Sequence, residues 1–177
     1  MRCKWCNLDN PVYVKYHDEE WGVLNLDEHY LFEMLILESF QAGLSWECVL
    51  NKRDAFRKAY DNFDIEKVIK YDDKKIEKLI NNDSIIRNKL KIKASINNAK
   101  IFKSISLEYN GFKNYLLKYF KEYPIYEVNK TTSRVSDDIS SDLKKRGMTF
   151  VGSVIIYSYL QAIGLINSHE NDCFMKN

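Results

Sequence analysis

Nine residues, Glu38-Ser39-Phe40-Gln41-Ala42-Gly43-Leu44-Ser45-Trp46, gather groups that could hold a flat ligand with a polar edge: a carboxylate, an amide and an indole around a glycine turn. The carboxylate is out of place. Leu31, Met34 and Leu35 recur at the spacing of one helical face, behind Asp27 as a cap, and the next step of that face is Glu38. A carboxylate on a core-facing stripe is costly unless something pairs with it. Ser45 is placed to cap the helix carrying Trp46, and Leu44 reads as exposed. Tyr16 and Trp21, from an aromatic-rich N-terminal stretch, could fold over this turn. Stacking a base on an aromatic ring contributes about 1–3 kcal/mol. The set Tyr16, Trp21, Glu38, Gln41 and Trp46 therefore suits a nucleobase taken out of the duplex, with Glu38 and Gln41 bonding its edge. Taken alone, the stretch has a plainer account: a glutamate reaching solvent at a helix end, and a core tryptophan.

Two further constellations carry chemistry. His169-x-x-x-Cys173 puts a histidine and a cysteine on one side of a helical turn, where they can share a metal ion. A tetrahedral zinc site needs two more ligands, and Cys3 and His17 stand at the opposite end of the chain. Such a site would clamp the N-terminal arm to the tail. Cys6 could replace Cys3, and Glu170 and Asp172 are weaker candidates. A closed four-ligand site would be structural, with no position open to substrate. The other constellation is Lys144-Lys145-Arg146-Gly147-Met148-Thr149-Phe150-Val151-Gly152-Ser153, two helices joined by a glycine-bounded turn. A turn feeding a helix N-terminus offers backbone N–H groups to an anion, which would grip a DNA phosphate without reading sequence. An ordinary helix connection is the simpler alternative.

The elements that must position these groups read as helices. The chain, residues 1–177, fits one domain, with room for two lobes, and glycine and proline are scarce. Residues 1–26 read as an irregular arm. Helices are expected from Asp27 to Ser39, Ser45 to Tyr60 (with Cys48 buried), Asp64 to Tyr71, and from Asp72 or Asp73. Others run from Ile85 to Glu108, Phe112 to Phe120, Ser133 to Lys145, and from Thr149 or Gly152 to Ile163. No alternating strand is evident, so the expected class is all-α. Val151 to Ile166 is apolar but interrupted by Ser153, Ser158 and Gln161, too short and polar to span a bilayer. The N-terminus has no apolar signal region, which points to a cytoplasmic protein with reduced cysteines. A formal net charge of +2 permits nucleic-acid binding without demanding it.

These motifs together resemble the 3-methyladenine DNA glycosylase I family, constitutive bacterial enzymes of the helix-hairpin-helix superfamily. The resemblance runs through Cys3-x-Trp5, Tyr13-x-x-Tyr16-His17-Asp18-x-Glu20-Trp21-Gly22-Val23, Leu31-Phe32-Glu33-Met34, Glu38, and Gln41-Ala42-Gly43-Leu44-Ser45-Trp46. It continues through Ile85-Ile86-Arg87, Lys144 to Gly152, and His169-x-x-x-Cys173. It implies a monofunctional glycosylase that hydrolyses the bond between deoxyribose and 3-methyladenine in alkylated double-stranded DNA, releases the free base and works as a monomer. It implies one structural zinc ion on Cys3, His17, His169 and Cys173, with the added Cys6 leaving the choice of cysteine open. It also implies a base pocket of Glu38, Tyr16, Trp46, Trp5, Tyr13, Trp21 and Gln41. Gly43 and Leu44 would probe the gap in the duplex, and Lys145, Arg146, Gly147, Val151, Gly152 and Ser153 would grip DNA. Bifunctional relatives carry a lyase lysine two residues past the last hairpin glycine; here that residue is Val154, so no strand cleavage is expected. Three alternatives compete: a helical zinc module that binds DNA without catalysis, a glycosylase for another alkylated base, and a small-molecule enzyme with catalytic zinc.

Overall fold

The structure, a computed structural model, describes residues 1–176. Helix α2 (Glu28–Gln41) is the axis of the fold, and every residue from Leu31 to Phe40 is buried. A helix apolar nearly all round can only be stable inside. Here α2 is wrapped by α3 (Trp46–Leu50), α7 (Lys89–Tyr109), α8 (Phe112–Leu117) and α10 (Ser153–Ala162). Asp27 caps α2, accepting from the Tyr30 amide. Asn88 caps α7, whose end is set by Asn110 in a left-handed conformation. Ser133 caps α9 (Arg134–Lys145), which packs against α10. The remaining helices are α1 (Pro11–Glu19), α4 (Arg53–Ala59), α5 (Ile65–Val68) and α6 (Asp73–Ile80), ten in all among the described residues.

Three expectations are corrected. The N-terminal arm is not wholly irregular, because α1 runs through it, capped by Asn10 with Pro11 in its first turn. That start signal stands in the sequence, but the helix behind it has no clean apolar period. The helix expected from Ser45 to Tyr60 is broken at Asn51–Lys52 into α3 and α4, and Cys48 on α3 is only half-buried. The class is all-α as expected, but strands are not wholly absent. Two-residue strands β1 (Ile125–Tyr126) and β2 (Ile166–Asn167) pair in parallel, too short for any alternation to show.

Candidate active site

Glu38 lies on the last turn of α2 and is 2% exposed. Its Oε2 has no hydrogen-bond partner among the described residues, and burial pushes its carboxyl well above the usual carboxylate range. It faces a cavity of about 310 Å³, the lower end of the range for small-ligand pockets. Trp5, Tyr13, Tyr16, Trp21, Gln41 and Trp46 also line this cavity, so the seven expected pocket residues meet in one place.

Two supports make that possible. α1 carries Tyr13 and Tyr16 and is held to α3 by Asn10, whose amide donates to Glu47 (2.7 Å) and Asn51 (2.9 Å). The Tyr16 ring then stands 5.4 Å from that of Trp46. Trp5 packs on Trp21 at 4.7 Å and on Tyr13 at 5.2 Å, forming a continuous aromatic wall. Burial, with Glu47, Cys6 and Glu38 adding smaller effects, pushes the Tyr13 hydroxyl up to about 12. Burial and then Glu38 raise Tyr16 well above the usual phenol range. Both phenols therefore keep their protons at any ordinary pH.

The wall is polar where it is otherwise unpaired. Glu38 Oε2, Gln41 Oε1, Trp46 Nε1 and Ser168 Oγ are buried without partners among the described residues, and all four residues line the cavity. Buried polar groups are nearly always bonded. Four exceptions around one space, among them the Gln41 amide oxygen as an acceptor and the Trp46 indole N–H as a donor, match the edge of a polar ring rather than an apolar guest. Ser158, Gln161 and Ser168 also line the cavity, with Val128, Asn129, Lys130 and Glu170, and none of these was among the expected pocket residues. Ser158 and Gln161 sit three apart on apolar α10, so they share a helix face; that spacing was the available signal. A second cleft, about 860 Å³, lies between α2, α5 and α7. Its polar groups are satisfied: Glu28 accepts from the amides of Phe112 and Lys113 (both 2.9 Å), and His29 is bonded to the Asn62 carbonyl.

Behind the aromatic wall the two chain ends meet. Ligand atoms of Cys3, His17, His169 and Cys173 lie within 4.8 Å of one another, all buried. Cys6 is buried too but is not one of the four. Both imidazoles turn Nε2 inward. His17 Nδ1 is bonded to Asp18 (2.8 Å), and His169 Nδ1 to the Asn167 side-chain oxygen (2.9 Å). Each outer partner is an acceptor, so it holds the proton on Nδ1 and leaves Nε2 unprotonated, the usual arrangement around a metal-binding histidine; His17 Nε2 accepts from the Cys3 amide (3.2 Å). His169 Nε2 has no partner among the described residues. Burial, then His17, lowers His169 to about 4, so the ring is neutral, the form that binds metal. Gly22 is required here: its φ is +74°, and a Cβ would sit 2.8 Å from the His169 ring. Two thiols and two imidazoles gathered in this way fit a metal ion.

The turn after α2 puts Gly43 (φ +77°) and Leu44 outside, with Leu44 41% exposed. In the hairpin between α9 and α10, Lys145 and Gly147 are exposed. Gly152 has an ordinary φ and nothing within 4 Å of a Cβ, so neither backbone nor packing asks for glycine there. It begins α10 without a side-chain cap, which leaves first-turn N–H groups facing outward. Ser153 bonds to Ser136 and Asp137. Two expected contact residues are used otherwise. Arg146 is bound to Asp142 (2.9 Å) and Glu108 (2.6 Å) and ties α9 to α7. Val151 is fully buried, with only its carbonyl engaged, by Ser140. No helix is long and apolar enough to cross a membrane among the described residues.

This geometry has close counterparts. The chain is 41% identical over 181 residues to DNA-3-methyladenine glycosylase 1 of Escherichia coli (strain K12), covering 97% of this chain and 95% of that one. A crystal structure of 3-methyladenine DNA glycosylase I superposes with a TM-score of 0.95 at 37% identity, covering 100% of both chains. The Staphylococcus aureus enzyme, whose structure concerns recognition of 3-methyladenine, superposes at 0.94 with 33% identity over 99% of this chain and 96% of that one. A family model described as methyladenine glycosylase matches residues 5–176. With the match running through both chain ends, the pocket and the hairpin, the chain belongs to the methyladenine glycosylase family.

Proposed function

We propose that this chain is a monofunctional DNA glycosylase that hydrolyses the N-glycosidic bond of 3-methyladenine in alkylated DNA, the first step of base excision repair. The observation that carries this reading is Glu38, buried between aromatic walls with its Oε2 unpartnered among the described residues. N3-methylation makes adenine cationic while it is attached to the sugar. A cation entering the cavity favours the ionised form of Glu38 and offsets its desolvation. Unmodified adenine brings no charge and leaves that cost in place, so the pocket selects the lesion. Once ionised, Glu38 accepts hydrogen bonds from the base edge, chiefly the exocyclic amine, while the aromatic wall of the cavity offers a ring for the base to stack on. The base leaves neutral, so no strong general acid is needed. The protein supplies extrusion, orientation and an anionic group near developing positive charge.

In this reading the hairpin is a helix-hairpin-helix grip on DNA. Free N–H groups at the start of α10 meet a phosphate, Gly152 lets the backbone come close, and Lys145 adds charge. Leu44 and Gly43 enter the space vacated by the base. We further propose a monomer that works in the cytoplasm, beside the DNA it repairs.

The test is release of free bases from methylated DNA, resolved by chromatography. Wild type should release 3-methyladenine, and Glu38→Ala should lose on the order of a hundredfold or more in rate. In the same reaction borohydride should trap no covalent adduct, since Val154 stands where a lyase lysine would. Equal binding of free 3-methyladenine by wild type and Glu38→Gln would remove the recognition role. A folded protein releasing no base would favour a non-catalytic DNA-binding module.

One zinc ion on Cys3, His17, His169 and Cys173 would hold the arm against the tail. All four ligand positions are filled by the chain, so its role is structural. Purified protein should carry close to one zinc per chain, and chelation should lower its melting temperature together with activity. Metal-free protein that melts at the same temperature would sink this assignment.

A further inference from the structure

The turn that carries Leu44 and the hairpin that starts α10 are about a hundred residues apart, yet both rest on α7. Lys91, on the first turn of α7, is 7% exposed and has no carboxylate partner among the described residues. Its ammonium donates to the carbonyls of Phe40 (2.9 Å) and Ala42 (2.5 Å). These carbonyls flank Gln41 at the C-terminal end of α2, where the helix dipole favours a cation. Ala42 leads directly into Gly43 and Leu44. Two turns along α7, about 10 Å at 1.5 Å per residue, Asn98 is fully buried. It exchanges two hydrogen bonds with the Thr149 backbone in the hairpin, donating at 2.8 Å and accepting at 3.1 Å. Asn97 adds a bond to the Gly147 carbonyl at 2.9 Å. The Lys91 ammonium also stands 5.9 Å from the centre of the Phe150 ring, so one side chain touches both structures.

We propose that Lys91 and Asn98 are positioning residues that hold the Gly43–Leu44 turn and the Gly147–Gly152 hairpin at a fixed spacing along α7. DNA seated on the hairpin then meets Leu44 at the step where the base is extruded. This rests on the glycosylase reading above. Neither residue lines the base cavity, so their effect is on opening paired DNA rather than on the chemistry that follows.

The experiment measures kcat/KM for release of 3-methyladenine from one methylated oligonucleotide offered in two forms. In the first the methylated tract is fully paired; in the second it faces non-complementary bases, so little pairing must be broken. Lys91→Met should lower kcat/KM on the paired form by about tenfold and on the opened form far less, while Lys91→Arg, which keeps the donors, restores most of the loss. Asn98→Ala should show the same imbalance from the hairpin side, and it carries the test should Lys91→Met not fold. An equal fall on both forms marks a merely structural role and overturns the proposal, as does an unchanged rate on both. Failure of the unaltered chain to release 3-methyladenine from either form overturns the glycosylase reading itself, and this proposal with it.

Discussion

Helix α2 buries two glutamates five residues apart, each 2% exposed, and treats them in opposite ways. Glu33 is enclosed by cations: it accepts from Arg53 (2.7 Å) and from Arg57 (2.8 and 3.3 Å), and Arg53 reaches on to Glu20 (2.7 Å). Glu38 has an oxygen with no partner among the described residues and a carboxyl raised by burial. Same residue type, same helix, same burial: what separates them is whether the fold supplies the counter-charge. At Glu33 it does, and the group joins α2 to α4. At Glu38 it does not, and in the glycosylase reading the missing charge arrives with the alkylated base.

Substitutions at the two positions should therefore fail in different ways. The largest effect is expected from Glu33→Ala, which leaves the buried Arg53 with Glu20 as its remaining carboxylate. Breaking one side of a buried pair costs up to about 3–5 kcal/mol, read as a lower denaturation midpoint with the residual folded fraction still releasing base. Glu38→Ala should reverse this pattern, with activity gone and the fold intact. If both variants lose stability alike, the distinction between them is void. Smallest is the change from Glu38→Gln, which removes a group that resists ionisation. In the unfolded chain Glu38 ionises in the ordinary carboxylate range, while in the fold its pKa lies higher. Its contribution thus favours the fold most fully at acid pH, below the unfolded value, and is lost as pH rises toward the folded one. Glu38→Gln should accordingly melt a few degrees above wild type at neutral pH, the gap closing as pH falls through the carboxylate range. A gap that is constant with pH would mean Glu38 is not held neutral in the free protein.

Much of this contrast is legible in the sequence, for particular reasons. Glu38 shows because the apolar period of α2 passes through it. The caps at Asp27, Ser45 and Asp72 show because short polar side chains precede apolar periods. Ser158 and Gln161 are visible as polar residues three apart on an apolar helix, but they read as interruptions of a hydrophobic run, because nothing local says that the run faces a cavity. The pairing of β1 with β2 joins residues 41 apart through two-residue strands, and no local pattern encodes it. Arg146 misleads in the other direction. Beside Lys144 and Lys145 it looks like part of an anion grip, although Asp142 one turn earlier already offers it a partner.

The clamp between the chain ends has a consequence in time. His17 and His169 are separated by 152 residues, and contacts such as the Lys4 amide with Glu170 (3.2 Å) span nearly the whole chain. At about 5–20 residues per second of synthesis, the aromatic arm leaves the ribosome on the order of ten seconds before the residues it closes upon. During that interval α2 can find α3, α7 and α8, but α10 emerges only just before His169, and Trp5, Tyr13 and Trp21 have no finished wall to join. Base recognition is thus the last property the nascent chain acquires, and timed translation should find the arm open to protease until the segment around His169 has emerged.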